Sequence, residues 1–458
     1  MKAEKVFIIS LGCPKNQVDS EVMGALLAQS GYDLTSRPEE AHIILVNTCA
    51  FILPAKEESI EEILRMAEWK KKGRCEKLVV TGCLPQRYGP VLEAEMPEVD
   101  LFLGTGEVPR IARLIQGRQR KKQRSFIGKP NFLMDAASPR LFPPSTRSAY
   151  LKIAEGCSNR CSYCVIPSIR GAFRSRPMAD ILKEGERLAG MGIREVILIA
   201  QDTTAYGRDL RGNPSLSDLL RELSSIGNLR WIRVLYAHPA SITDEILMTV
   251  AEEDKICSYL DMPVQHMDDD LLRAMNRKSN SAFIRGTIDR ARAIIPGVTL
   301  RTSLIVGFPG ETAKKFNALL EFVQEARFEN LGVFIYSREE GTKAAELLAR
   351  ISERVKNRRR DILMEEQSAI SFEINRSRIG SVEEVLLEEK SDVPEFPLVG
   401  RTRGQAPEID GVTYVRVRKG KAGDIVSCRI TGADTYDLYA EEIGIGHQTL
   451  GIGSKNKN

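Results

Sequence analysis

The chain is poor in histidine, with four in 458 residues, and in tryptophan, with two. So few imidazoles make a histidine-built metal centre a poor fit. No uninterrupted apolar run reaches the roughly 18–20 residues of a membrane-crossing helix, so no membrane partner is expected. "MKAEKVFIIS" turns polar after a short apolar stretch, unlike a secretory signal. An excess of one charge is missing too: 66 Lys and Arg face 62 Asp and Glu, a net charge of +4. Global charge therefore does not demand nucleic acid, and only a local basic patch stays open. The expected compartment is the cytoplasm, where a disulfide framework is out of place. Against these absences stand nine cysteines, an odd count that asks for another explanation.

A chain this long implies two or three domains. Residues 1–125 alternate short apolar strands, at 5–10, 43–47, 77–81 and 99–104, with helical patterns near 18–30, 55–71, 86–95 and 107–116. That alternation predicts an α/β domain with a parallel sheet. A basic run, "IQGRQRKKQRS", leads into a Pro- and Ser-rich stretch, so 126–145 reads as a linker. Six further βα repeats fill 146–375, beginning at "AYLKIAEG" and ending in a long charged helix. A closed eight-stranded barrel usually needs more chain, so the expectation is a partial (β/α)6 TIM-like barrel. Over 378–445 short strands are punctuated by Gly and Pro, the pattern of a small all-β barrel. The last residues, "GIGSKNKN", read as a frayed end.

"EGCSNRCSYCVIPSIRG" sets Cys157, Cys161 and Cys164 in a C-x3-C-x2-C array just past the first strand of the second domain. A zinc knuckle wants a fourth Cys or His at matching spacing, and none is near. His238 and His266 lie far along the chain and read as loop or core residues. Three thiolates on a four-iron cluster leave one iron open for a small molecule. Three more cysteines share a placement. Cys13, Cys49 and Cys83 each follow a strand of the first domain, 36 and 34 residues apart. Carboxyl ends of parallel strands line one crevice, so three loops can bring three thiols together as a second open cluster. Cys75, Cys257 and Cys428 lack that placement and read as structural.

The three-cysteine spacing resembles that of the radical S-adenosylmethionine (SAM) superfamily, and nearly the whole chain resembles its methylthiotransferases. The resemblance implies an enzyme with two [4Fe-4S] clusters. Cys13, Cys49 and Cys83 would hold an auxiliary one, and Cys157, Cys161 and Cys164 would hold the one whose open iron binds SAM. The C-terminal domain resembles a TRAM domain. "SLGCPKNQVDSE", "AQDTTAYGRD", "YLDMPVQHMDDDLLRAMNR" and "RTSLIVGFPGET" are similar to the branch that acts on ribosomal protein S12. Pro14 and "QDTTAYG" separate it from the branch that modifies adenosine in tRNA, whereas Gln17 departs from the expected Leu.

The implied reaction replaces C–H by C–S–CH3 at the β-carbon of an S12 aspartate and uses two SAM. One gives a methyl group to sulfur on the auxiliary cluster, and the other is reductively cleaved to a radical that abstracts the hydrogen. This requires the two open irons to face each other. Tyr163, Gln201, Asp202, Gln265, Arg301, Gly307 and Gly310 are the expected SAM contacts. Further expectations are S12 as partner, free or in the small ribosomal subunit, and an electron donor such as flavodoxin or ferredoxin. A monomer is expected, with possible rRNA contact through the basic "RTRG" and "RVRKGKAG" of the last domain. The alternatives are a tRNA adenosine methylthiotransferase, a non-enzymatic iron–sulfur protein that binds RNA, and a zinc module.

Overall fold

The computed structural model describes residues 3–117 and 124–443. Most of the basic run and the terminal "GIGSKNKN" lie outside the described residues. Strands β1 (Lys5–Ser10), β2 (Asp33–Leu34), β3 (Ile43–Thr48), β4 (Lys77–Gly82), β5 (Leu101–Leu103) and β6 (Ser125–Phe126) form one parallel sheet. Its order is β2-β1-β3-β4-β5-β6. Every residue of β3 is buried, as parallel strands covered on both faces require. The covering helices are α1 (Pro14–Gln29), α2 (Leu53–Ala67), α3 (Trp69–Lys72), α4 (Cys83–Glu95) and α5 (Ile111–Gln116). Helix α1 starts four residues before its expected position. Pro14 opens it, because the first turn has no use for the N–H that proline lacks. Cys13 is therefore the helix N-cap, and Cys83 is the first residue of α4.

The central domain has strands β7 (Ser148–Lys152), β8 (Ala154–Glu155), β9 (Arg174–Ser175), β10 (Glu195–Ile199), β11 (Trp231–Val234), β12 (Tyr259–Asp261), β13 (Thr299–Val306) and β14 (Asn330–Ile335). Two parallel three-stranded sheets, β7-β10-β11 and β12-β13-β14, are joined through the Ile232–Ile256 bridge into an open six-stranded barrel. Strands β8 and β9 pair separately, beside the three-cysteine loop. Its helices are α6 (Ile166–Arg170), α7 (Met178–Gly190), α8 (Leu216–Ser224), α9 (Asp244–Glu252), α10 (Asp269–Ala274), α11 (Ser281–Ile294), α12 (Ala313–Ala326) and α13 (Glu353–Ser377). Leu188, Leu219, Leu247, Ile288 and Leu319 from these helices pack on Leu151, Leu198 and Leu300 of the strands. The stretch between the first two domains is pinned down: Arg140 is buried and ion-paired to Glu21 of α1 and Glu184 of α7. Among the described residues no helix is long and apolar enough to cross a membrane.

Strands β15 (Val382–Lys390), β16 (Leu398–Thr402), β17 (Thr413–Arg416), β18 (Ile425–Ala433) and β19 (Leu438–Glu442) close into a five-stranded barrel. This small barrel seals the large one from below. Tyr150, Ile197, Trp231 and Tyr259 point inward and share a core with Val18 and Val22 of α1 and with Leu386 and Ala406. The buried Glu195 carboxylate sits between Arg233, at 2.7 Å, and Arg401, at 2.5 Å. Burial alone would raise its pKa, but the two guanidiniums outweigh burial and hold it at about 2. One sequence expectation is corrected here. Arg401 is fully buried in this cluster, and Arg403 donates to the Asp254 and Ile256 carbonyls, so "RTRG" is an inter-domain anchor rather than an RNA surface.

Candidate active site

Strands β1, β3 and β4 are neighbours in the sheet, and each delivers one cysteine past its carboxyl end. Gly12 lets the first two come close. Its φ is +93°, and a Cβ there would lie 2.7 Å from Cys49 Cβ and 3.0 Å from Cys49 Sγ. Any side chain would collide with the thiol and strain the backbone. Asn16 on the first turn of α1 ties the loops together. Its amide donates to the Leu11 and Thr48 carbonyls, at 2.8 and 2.9 Å. Its carbonyl oxygen accepts from Arg170 and faces Cys83 Sγ at 3.7 Å.

The second triad is local. The loop between β8 and α6 carries Cys157, Cys161 and Cys164. The Cys164 N–H donates to the Cys161 carbonyl, and the Cys157 N–H donates to Gly171 O, both at 3.1 Å. Gly156, at φ +76°, allows that approach, since a Cβ there would lie 2.2 Å from the Ala172 carbonyl oxygen. Arg160 turns the loop through left-handed φ 54°.

All six cysteines line one chamber of about 320 Å³ between the first two domains. Tyr163, Gln201 and Gln265, three of the expected SAM contacts, line it too. Gln201 Nε2 donates to Glu155 at 3.3 Å, while its buried Oε1 has no hydrogen-bond partner. The other expected contacts stand back from this wall. Asp202 accepts from Asn159 at 2.7 Å, and it is Asn159 that lines the chamber. Arg301 points to the barrel floor and pairs with Asp261 and, across the domain boundary, Asp410. Gly307 packs on the Lys356 stem of α13, and Gly310 faces Leu271. Lys15, Arg170, Tyr236, His238 and Arg277 also line the chamber, and the sequence assigned none of them to the site. Arg170 sits in the quoted cysteine motif, the one signal that pointed to it. His238 reads as a loop or core residue in the sequence, whereas the fold brings it to the chamber wall. His266 is a buried core residue bonded to Glu311 at 3.3 Å.

Beside the chamber a second recess of about 260 Å³ shares Phe51, Tyr163, Tyr236, Pro263 and Gln265 with it. Ile305, Phe334 and Tyr336 complete its apolar, aromatic wall, which suits a flat heteroaromatic ring.

Burial pushes the Cys49 thiol up to about 12, with the adjacent Cys83 and Cys13 adding to it. Burial likewise lifts Cys164 to about 12. Burial also raises Cys83, opposed by the Arg170 guanidinium. Such thiols stay protonated until a metal displaces the proton. Arg170 is held by Asp19 at 2.7 Å, and Asp19 also takes Lys152 at 2.6 Å, so a buried ion network joins the two domains under both triads. Burial, then the Arg277 cation, lower His238 to about 4, leaving it neutral near pH 7.

The donor set fits iron–sulfur clusters. Each triad offers three thiols and, among the described residues, no fourth cysteine. Cys75 and Cys257 are buried in other parts of the core, and Cys428 is in the small barrel. Three thiols with one position left open suit a four-iron cluster better than structural zinc, which draws four protein ligands to one centre.

Comparisons with known proteins agree with this division. The model for "Uncharacterized protein family UPF0004" matches residues 5–104, that for the radical SAM superfamily matches 151–323, and that for the TRAM domain matches 379–443. Ribosomal protein uS12 methylthiotransferase RimO of Syntrophus aciditrophicus (strain SB) is 59% identical over 449 residues, covering 97% of this chain and 99% of the relative. The protein of the same name from Geobacter sulfurreducens is 54% identical over 441 residues, covering 96% and 99%. Among solved structures, the radical SAM methyltransferase TsrM from Kitasatospora setae, with cobalamin and a [4Fe-4S] cluster bound, superposes with a TM-score of 0.55. It shares 14% identity and covers 86% of this chain and 82% of that one, a likeness of fold alone. The chain belongs to the ribosomal protein uS12 methylthiotransferase family of radical SAM enzymes.

Proposed function

We propose that this chain adds a methylthio group to the β-carbon of an aspartate in ribosomal protein S12, using two SAM and two [4Fe-4S] clusters. The observation that carries the reading is that two separately built cysteine triads open onto one chamber. The β C–H bond of aspartate lies next to a carboxylate whose negative charge makes proton removal costly, so abstraction of a hydrogen atom by a radical is the more accessible route. When bound, the clusters and SAM supply one-electron sulfonium cleavage, hydrogen-atom abstraction and the methylated sulfur.

The chain's own residues bind and position. Cys157, Cys161 and Cys164 hold the SAM-binding cluster, and Cys13, Cys49 and Cys83 hold the auxiliary one. Tyr163 and Gln265 border both the chamber and the aromatic recess, a placement that supports adenine in the recess and the methionine end in the chamber. The unpartnered Gln201 Oε1 is a buried acceptor for an N–H or O–H of SAM. Close packing of the two domains keeps both reacting centres on one chamber, where small displacements cost rate. The domain limits 1–125, 146–375 and 378–445, with 126–145 between the first two, complete the proposal. So do a monomeric enzyme and a flavodoxin or ferredoxin as electron donor.

The test is an anaerobic assay with reductant and SAM that offers an S12-derived peptide and a tRNA in parallel. Mass spectrometry is expected to find the methylthio group on the peptide aspartate. Modification of tRNA alone would overturn the substrate assignment.

A further inference from the structure

The loop "MNR" (275–277) after α10 grips the second triad from outside. The Met275 carbonyl accepts from the Ser162 N–H at 3.0 Å. The Asn276 amide donates to the Arg160 carbonyl at 2.8 Å. These bonds flank Cys161. Arg277 continues into the chamber wall. Its Nη1 lies 3.9 Å from Cys161 Sγ, and its Nη2 donates to the Pro263 carbonyl at 2.7 Å. Its Nε is buried with no hydrogen-bond partner. The buried arginines Arg140, Arg170, Arg176, Arg233 and Arg401 all have carboxylate partners. Arg277 makes no ion pair among the described residues. It is a cation held beside a ligand sulfur with no carboxylate partner among the described residues.

We propose that Arg277 is the electrostatic partner of the SAM-binding cluster, and that its charge sets how readily this cluster is reduced. The inference rests on the radical SAM reading of Cys157, Cys161 and Cys164. Net charge and hydrogen bonds to the sulfurs set a cluster's potential. In the step concerned, a low-potential one-electron donor loses one electron and the cluster gains it. No bond or proton changes, and the cluster becomes more negative by one charge. A fixed cation a few ångströms from the sulfur, without a carboxylate to cancel it, favours that more negative state. Arginine suits the task because it stays protonated at any working pH. Arg170 at the first triad differs, since Asp19 and Glu155 offset its charge. Arg277 is a positioning and charge-setting residue, separate from the cluster's ligands.

The test is a potentiometric titration of the reconstituted full-length protein, followed by electron paramagnetic resonance. The SAM-binding cluster is identified by the signal that changes when SAM is added. For Arg277→Met, the ratio of reduced to oxidised cluster at a fixed potential is expected to fall at least about tenfold, equivalent to about 59 mV for a one-electron couple. Arg277→Lys keeps the charge and is expected to stay within about threefold of wild type. Lys278→Met, an exposed neighbour, serves as the control and is expected to change nothing. A wild-type titration for Arg277→Met overturns the proposal. So does Arg277→Lys falling as far as Arg277→Met, which would leave Arg277 only a structural grip. If Arg277→Met fails to take up its iron, Arg277→Lys decides alone: a wild-type ratio supports the proposal, and a tenfold fall overturns it. Failure of the underlying reading looks different: SAM would perturb no signal even in the wild type.

Discussion

The first triad gathers Cys13, Cys49 and Cys83 from three strand ends, whereas the second lies within the eight residues from Cys157 to Cys164. The first exists only once β1, β3 and β4 pair in register, with Gly12 against Cys49 and Asn16 bridging the loops. The second needs one loop, held by Gly156 from within and by Met275 and Asn276 from outside. An arginine attends each: Arg170 by Cys83, its charge offset by carboxylates, and Arg277 by Cys161, its charge free. The difference teaches that one triad reports on the whole sheet and the other on a local turn. Damage to one therefore need not reach the other.

The largest expected effect breaks the local triad. Cys161→Ala should eliminate 5′-deoxyadenosine, quantified by chromatography, while the auxiliary iron remains. Nucleoside formation at the wild-type rate would remove Cys161 from the ligand set. Next comes the floor beneath both sites. Glu195→Gln leaves Arg233 and Arg401 buried without their anion, and denaturant unfolding should show a loss of roughly 3–5 kcal/mol. Iron content should not change, because the floor touches neither triad. An equal loss of both clusters would make the floor part of the site.

Gly12→Ala has a smaller effect and separates the triads. The new Cβ collides with Cys49 at a left-handed backbone position, at a cost of roughly 1–3 kcal/mol. Iron analysis should fall from about eight to about four per chain while SAM cleavage persists. Iron staying at eight would show that the strand-end approach has slack. The smallest effect is one of pH. The His238 pKa is lowered to about 4, whereas the unfolded chain takes up this proton near 6.5. The stability it confers is complete above pH 6.5 and is lost as pH falls from there through 4. His238→Gln should flatten the stability profile in that window. Identical slopes for variant and wild type would mean that His238 is protonated in the folded protein.

The same contrast explains what could be read in the sequence. Cys157, Cys161 and Cys164 are legible at once because their spacing is local. Cys13, Cys49 and Cys83 became legible through the βα period, which puts strand ends on one edge. Residues that reach the chamber by tertiary packing gave no such signal. Lys15 lies over the Tyr236 ring at 3.6 Å, and His238 and Arg277 arrive from loops more than 70 residues beyond Cys164. Arg301 misled because the sequence does not show where a side chain points, and this one turns down to Asp410 of another domain. "RTRG" misled for the same reason: composition records charge, and only packing shows that Arg401 is consumed by Glu195 and Glu388.

Counting 5′-deoxyadenosine and methylthiolated S12 peptide in one anaerobic reaction of Cys49→Ala tests the central claim most directly. Two triads serving one chamber, with separate tasks, predict that the nucleoside is still formed and the peptide stays unmodified. Peptide modified at the wild-type rate would contradict the account, because the first triad would then have no part in the transfer.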